Sequence, residues 1–358
     1  MKNLHVVLVC NFPGPVNAFA PVAHVLQRNH VVTVVTTSRY LEKFVLAQNK
    51  ILIDSPIASS YACDLLRNLS PDVILAGTTE LIDKQVGYFE LHFVQAAVEF
   101  GFPVVTFIDH WTCYLNRFSY SRTNSIEVLP SIICVNDERA KADCIQLGFP
   151  KNKLVVTGNP AWDTLSNYAA KLIQNKHSIL EKYGIAGLAH NNIFCFVSSP
   201  LNEDGLNSFY QCNEVDVLKA VVTALVKQYD LGNFTLLCLL HPRETAVKYQ
   251  MLTECRGVDL RIFQLGADNK LDFSTVSISA FGMSSMLLVE YAILGVPVFS
   301  IQPVLDDARV VRLGLNIQIV RNLSDIFDAF NNENLKKSLV KNFNAVNAII
   351  KVLTESVI

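Results

Sequence analysis

The sequence has no surplus of positive charge. Its 30 lysines and arginines stand against 32 aspartates and glutamates, a formal net charge of −2. Without a basic face to track a phosphate backbone, nucleic acid is not an expected partner. No apolar run reaches the roughly eighteen residues needed to cross a bilayer. The opening Met1-Lys2-Asn3-Leu4-His5 runs straight into an apolar stretch without a cleavage signature, so neither a membrane span nor a signal peptide is expected. The nine cysteines include no CxxC pair, and Cys10, Cys134, Cys195 and Cys238 lie in apolar runs. That pattern reads as buried free thiols in a reducing cytoplasm, not as disulfides or a metal cluster. HExxH, P-loop and GxSxG signatures are missing too, which removes the commonest zinc-protease, nucleotide-triphosphatase and serine-hydrolase readings.

What is present is an alternation of short apolar runs and amphipathic stretches. Hydrophobic residues make up 51% of the chain, as suits strands buried on both faces. In the first half the runs Leu4–Cys10, Val31–Val35, Ile51–Ile53, Val73–Ala76, Val104–Ile108, Ile132–Val135 and Leu154–Val156 read as strands, with helices over 39–47, 60–69, 85–100 and 137–147. A second series follows at Ile193–Val197, Phe234–Leu240, Leu260–Phe263, Val276–Ala280, Val298–Ile301 and Ile317–Val320. Its helices are 213–229, 244–255, 284–294, 322–330 and a long last one over 333–354. Strand and helix alternating this way predict α/β architecture with two Rossmann-like, doubly wound parallel sheets. The length of 358 residues also favours two domains. Their expected bounds are 1–160, a helical linker 161–191, 192–332, and a C-terminal helix 333–358 packing back on the first domain.

In such sheets ligands sit beyond the carboxyl ends of the strands, so the loops there are the candidates. The stretch 279–301 reads as strand, tight turn, helix, turn, strand. Gly282 permits the turn, Ser284 or Ser285 caps the helix, Gly295 ends it and Pro297 opens the next strand. Free N–H groups at that helix start make an anion site. Glu290, about one and a half turns on, is an acidic residue on an apolar helix and needs a partner. The same residues would equally make an ordinary serine-capped helix. After strand Phe234–Leu240 come His241, Pro242 and Arg243, donors suited to a diphosphate. After Ile193–Val197 come Ser198 and Ser199, whose hydroxyls can meet phosphate. Pro303 to Asp307 closes that side, with Asp306 or Asp307 toward a sugar.

In the first half, Asp109, His110 and Trp111 follow a strand. A carboxylate and an imidazole beside an aromatic that can stack on a sugar form a candidate general-base site, with Asp109 slightly preferred and His110 kept as the alternative. Arg117, Tyr120 and Arg122 follow as possible acceptor contacts. The loop 11–17, with Pro13, Gly14, Pro15 and Asn17, is a poor phosphate cradle because prolines lack N–H donors. Thr78-Thr79-Glu80 reads as a helix cap. In Thr157-Gly158-Asn159-Pro160-Ala161-Trp162-Asp163, Gly158 turns the chain and Asn159 can bond the turn.

Several of these segments carry a family resemblance. Ser284, Ser285, Glu290, Leu294, Gly295, Pro297 and Val298 resemble the nucleotide-sugar motif of GT-B-type glycosyltransferases and UDP-N-acetylglucosamine 2-epimerases, with Ser285 in place of the usual Gly. Thr157 to Asp163 resembles the Thr-Gly-Asn-x-x-x-Asp of the epimerases. His241-Pro242 resembles their His-Pro, found also in capsule and teichoic-acid type transferases. The resemblance implies two domains facing across a cleft, a nucleotide-sugar co-substrate with UDP favoured, ribose on Glu290 and diphosphate against His241, Arg243 and the 284–285 helix start. It further implies Asn17 and Asn159 near the substrate and no metal, since no DxD pair of the GT-A kind is present.

The leading expectation is therefore a glycosyltransferase that passes a sugar to a glycan or lipid-linked acceptor in cell-surface polysaccharide synthesis. It would work in the cytoplasm, at most in peripheral contact with the inner face of the membrane. The alternatives are a UDP-N-acetylglucosamine 2-epimerase, a CDP-alditol phosphotransferase and a catalytically degenerate GT-B binding module. Three departures weigh against the epimerase: Asn11-Phe12-Pro13-Gly14-Pro15 where those enzymes have Gly-Thr-Arg-Pro-Glu, Ser198-Ser199-Pro200 where they have an Arg-rich loop, and Val289 where they have Glu.

Overall fold

The computed structural model of the chain describes residues 3–54, 56–79, 88–121, 125–165, 176–188, 192–203, 212–229, 233–253, 258–266, 269–303, 317–331 and 343–357. The chain divides into two compact units: unit 1 is Met1–Thr164 with Asn342–Ile358, and unit 2 is Leu165–Lys341.

Unit 1 is built on strands β1 (His5–Val9), β2 (Val31–Thr36), β3 (Asn49–Leu52), β4 (Val73–Gly77), β5 (Val104–Ile108), β6 (Ile132–Val135) and β7 (Leu154–Val156). All pair in parallel, in the order β3-β2-β1-β4-β5-β6-β7. Its helices are α1 (Pro13–Leu26), α2 (Ser59–Leu69), α3 (Phe89–Phe100), α4 (Glu138–Gln146) and the short α5 (Pro160–Asp163). The two-residue period of a strand explains the continuous apolar runs. Val6 and Leu8 pack with Phe19 and Val22 of α1, while Val7 and Val9 pack with Phe93 and Ala97 of α3.

Unit 2 holds α6 (Lys176–Lys182), β8 (Asn192–Val197), α7 (Glu214–Gln228), β9 (Phe234–Leu239), α8 (Gln250–Thr253), β10 (Asp259–Phe263), β11 (Ser279–Gly282), α9 (Met286–Ile293), β12 (Val298–Ile301), β13 (Ile317–Val320) and α10 (Ile326–Asn331). Its parallel sheet runs β10-β9-β8-β11-β12-β13. Helix α7 begins with a reciprocal capping box between Asn213 and Asp216. In each sheet the strand order reverses once, between β1 and β4 and between β8 and β11, so each unit has one topological switch point.

The last described helix, α11 (Ala345–Glu355), belongs to unit 1. Val346, Ile349, Val352 and Leu353 enter the core beneath β1 and α1. Its start is held by Asp163, which accepts the backbone N–H of Ala345 at 3.1 Å and of Val346 at 2.7 Å. Gly158, at φ +79°, sets the approach, since a Cβ there would lie 3.2 Å from Ala345 Cβ. The Thr157–Asp163 motif thus docks the helix that closes unit 1.

Some expected elements differ. Residues 11–17 are not all loop, because α1 begins at Pro13, with proline tolerated in a first helical turn where N–H groups lack partners anyway. Residues 276–278 precede the strand, which starts at Ser279. The helices expected over 39–47 and 244–255 tighten into 3₁₀ turns, Ser38–Phe44 and Ala246–Tyr249, the second leading into α8. The described part of the last helix starts at Ala345 rather than 333. Among the described residues, no helix is long and apolar enough to cross a membrane.

Candidate functional site

At the carboxyl edge of unit 2, Ser285 is the N-cap of α9, its Oγ accepting the N–H of Leu287 at 3.3 Å. Ser284 precedes the cap and is half-buried. Gly282 ends β11 where the backbone is crowded. A Cβ there would lie 2.5 Å from the Val197 carbonyl oxygen and 3.1 Å from Leu288 Cδ1, so the glycine serves strand and helix packing. Ser300 on β12 donates to the Met283 carbonyl at 2.5 Å and fixes the turn.

Glu290 has a partner inside the protein. Lys270 Nζ stands 2.7 Å from Oε1 and 2.6 Å from Oε2. The next residue of α9, Tyr291, donates to the Lys270 carbonyl at 3.2 Å. One helix therefore holds both ends of Lys270. Sequence reasoning missed this lysine, since no local pattern ties residue 270 to residue 290.

Ser198 is turned inward, a correction to its expected place on a phosphate. It is buried, donates to Glu244 Oε1 at 2.7 Å and lies 2.5 Å from the Tyr249 hydroxyl; Ser199 is buried as well. The His241 N–H donates to Glu244 Oε2 at 2.6 Å, and the Arg243 N–H to His241 Nδ1 at 3.3 Å. Glu244 thus ties the residues leaving β8 and β9, with His241 half-buried and Arg243 exposed at that edge. Behind them, Lys248 pairs with Glu244 at 2.6 Å, with Glu203 at 3.1 Å and with the fully buried Glu214. Burial lowers the Lys248 pKa, but the hydrogen bonds to Glu214 and Glu244 outweigh it and raise the value overall. Glu203, Glu214 and Glu244 are, among the described residues, the one carboxylate group gathered closely enough for a metal ion, and the Lys248 ammonium stands among them.

At the carboxyl edge of unit 1, Asp109 Oδ1 accepts Arg117 Nη1 at 2.9 Å. Arg117 is buried, and also donates from Nε to the Thr112 carbonyl at 3.1 Å and from Nη1 to the Thr78 carbonyl. It orders the protein's own acid instead of standing open to an acceptor. The Asp109 carbonyl takes Asn136 Nδ2 at 2.9 Å. Its Oδ2 lies against the first turn of α1, where a Cβ on Gly14 would come within 1.7 Å of it. The Pro13-Gly14-Pro15 turn thereby meets an internal carboxylate at the positive end of its helix.

Gly14→Ala tests this contact. Alanine gains up to about 1 kcal/mol in helix propensity, but overpacking of this severity costs about 1–3 kcal/mol. The urea midpoint is expected to fall; an unchanged midpoint would mean that Asp109 swings aside freely.

His110 Nδ1 lies 2.9 Å from the Thr112 hydroxyl. Trp111 is not available to stack on a sugar. It is 1% exposed, donates to Asp137 at 2.9 Å and stacks on Trp162 with ring centroids 6.0 Å apart, as a large ring beside a helix cap commonly does in a core. Asn17 lies in the second turn of α1, half-buried. Asn159 is buried and caps α5, accepting from the Ala161 N–H at 3.0 Å. The Tyr120 hydroxyl meets His92 Nδ1 at 3.0 Å. Glu80, Arg122, Asp306 and Asp307 lie outside the described residues.

Glu90, on the first turn of α3, was not singled out from sequence. It is 1% exposed, its Oε1 accepting the Asn11 N–H at 2.8 Å and its Oε2 the Thr79 hydroxyl at 2.9 Å. Burial raises its pKa, and the nearby Asp109 charge adds to this, against the lowering effect of those hydrogen bonds.

No protein-family model matches this sequence, and no curated protein does. Solved structures do. The UDP-GlcNAc 2-epimerase from Neisseria meningitidis, bound to UDP-GlcNAc, superposes with a TM-score of 0.70 at 19% identity, over 98% of this chain and 100% of that one. The chain has the GT-B-like fold. The UDP-GlcNAc 2-epimerase from Methanocaldococcus jannaschii gives 0.69 at 16% identity, over 99% and 100% of the two chains. The S. aureus MnaA–UDP co-structure gives 0.69 at 17%, over 97% and 95%. At such identities the likeness is one of fold.

Proposed function

We propose that this chain is an enzyme acting on a UDP-sugar, of the UDP-N-acetylglucosamine 2-epimerase kind. The observation that supports the reading is the match of nearly the whole chain, 98% and 99% of it, to two structures of those enzymes over their full lengths. It reverses the order expected from sequence, where glycosyl transfer led and epimerisation was the alternative. In unit 2, UDP would lie at the carboxyl edge: diphosphate toward the Ser285-capped start of α9 and the His241–Arg243 turn, ribose on Glu290. One balanced route takes the proton from the sugar carbon while the C–H electron pair expels UDP from the neighbouring carbon, then returns a proton to the other face as UDP adds back; the proton transfers suit a carboxyl or imidazole group. Asp109, with His110 beside it, is the candidate in unit 1.

The test combines binding with isotope exchange. At a hundred times Kd, UDP or UDP-GlcNAc should stabilise the protein by about 2.7 kcal/mol. Glu290→Ala should abolish the shift, while GDP, CDP, CMP and dTDP should give little. In D₂O, proton NMR should show the sugar C2 hydrogen replaced by deuterium. Binding without that exchange would return the reading to glycosyl transfer, and no binding by any nucleotide would leave the non-catalytic module.

A further inference from the structure

We propose that Glu90 is a positioning residue: one buried carboxylate that fixes the residues leaving β1 and β4 at the switch point of unit 1, and through them the place of Asp109. The two bonds span the switch point. Asn11, just past β1, gives its N–H to Oε1 at 2.8 Å, and Thr79, just past β4, gives its hydroxyl to Oε2 at 2.9 Å. These strands are neighbours in the sheet but 68 residues apart at their held ends, by 79 − 11. From there two crowded glycines lead toward Asp109. A Cβ on Gly77 would sit 3.6 Å from Glu90 Oε1 and 2.5 Å from Pro15 Cβ, and one on Gly14 would sit 1.7 Å from Asp109 Oδ2. Thr78, between Gly77 and Thr79, accepts at its carbonyl a hydrogen bond from Nη1 of Arg117, the residue that pairs with Asp109. Moving Asn11 or Thr79 therefore moves the wall against which Asp109 stands.

A carboxylate buried without a cation costs free energy unless hydrogen bonds repay it. Among the described residues, the groups that act on Glu90 electrostatically are the Cys10 thiol just after β1, the Tyr40 hydroxyl from the 3₁₀ turn Ser38–Phe44, and Asp109 after β5, whose charge is offset by Arg117. Burial raises the Cys10 thiol well above its ordinary range, and the Glu90 charge raises it further. What the carboxylate supplies is two strong acceptors at once, aimed at two separate segments. The consequence for turnover rests on the UDP-sugar reading; the hold on Asn11 does not.

The test uses the full chain with Glu90→Ala, Glu90→Gln and Glu90→Asp. Residues 11–15 contain two prolines, so hydrogen exchange in that segment reports only Asn11, Phe12 and Gly14. Loss of a bond to a charged acceptor should speed exchange there by about tenfold to a hundredfold in Glu90→Ala. Glu90→Asp, too short to reach both partners, should do the same and serves if the alanine variant does not fold. Glu90→Gln, which keeps the Oε1 acceptor, should stay within about threefold of wild type. With UDP-GlcNAc, Glu90→Ala or Glu90→Asp should lower kcat at least about tenfold with KM little changed, and Glu90→Gln should restore most of it. Wild-type exchange rates in both Glu90→Ala and Glu90→Asp would overturn the proposal, as would a glutamine variant as open as the alanine one. A wild type that turns over no UDP-sugar would overturn the functional reading alone, since the exchange rates still decide the role of Glu90.

Discussion

Arg117→Met is expected to destabilise unit 1 by about 3–5 kcal/mol, the usual cost of stripping one partner from a buried ion pair. Methionine replaces much of the aliphatic stem, so the loss falls on the polar contacts. The Arg117 side chain is 3% exposed and Asp109 20% exposed, so little water can replace the guanidinium. The carbonyls of Thr78 and Thr112 lose donors in the same step. Asp109→Asn in the Arg117→Met background should recover part of the loss, because it removes the stranded charge. A double-mutant cycle from urea denaturation should give a coupling of about 1–3 kcal/mol. Strictly additive losses would show that the pair is not coupled, and the geometry drawn for Asp109 would be wrong.

Lys248→Met should be at least as damaging to unit 2, and in a pH-dependent way. Lys248 sits among Glu203, Glu214 and Glu244, the last two with side chains 0% exposed. Its pKa is raised above the ordinary 10.5, the glutamate hydrogen bonds outweighing burial. A raised lysine pKa gives stability that is complete below 10.5 and is lost only as pH climbs through the raised value. Wild type therefore keeps this contribution across the neutral range. Without the ammonium, two buried carboxylates stand unpaired side by side. The deficit of Lys248→Met in urea denaturation should be about 3–5 kcal/mol near pH 8 and shrink as pH climbs above 10.5, where wild type loses the charged lysine. A deficit that stays flat as pH climbs would mean that the ammonium contributes less than its geometry implies.

The sheets were legible because their signal is local. Val104–Ile108, Ile132–Val135 and Leu154–Val156 are continuous β-branched or apolar runs, Val298–Ile301 and Ile317–Val320 are each broken by a single polar residue, and each of the five is a strand with those ends. The Ser285 cap, with Gly295 and Pro297 beyond it, was legible for the same reason. Side-chain partners were not, because topology creates them. Nothing near Trp111 says that Trp162 will stack on it, and nothing near Ser198 says that Glu244 will draw its hydroxyl inward. Pro13 and Pro15 suggested a loop, whereas the first turn of a helix accepts proline readily because its N–H groups have no partner there. Glu90 could have been found. The cue that marked Glu290, an acid on an apolar helix, is present in Phe89-Glu90-Leu91-His92-Phe93, and it was applied to one helix only.

The docking of α11 by Asp163 has a consequence for how the protein is made. The strands of unit 1 are made before unit 2, but Ile349 and Leu353 of its core arrive after all of unit 2. Unit 2 is one uninterrupted stretch, so its core can close while unit 1 still lacks a helix and leaves the apolar surface beside β1 and α1 open. The half started first is completed last. Nascent chains halted after unit 2 should therefore carry a folded second half and a first half dependent on chaperones, as domains generally fold as units when their own contacts become available.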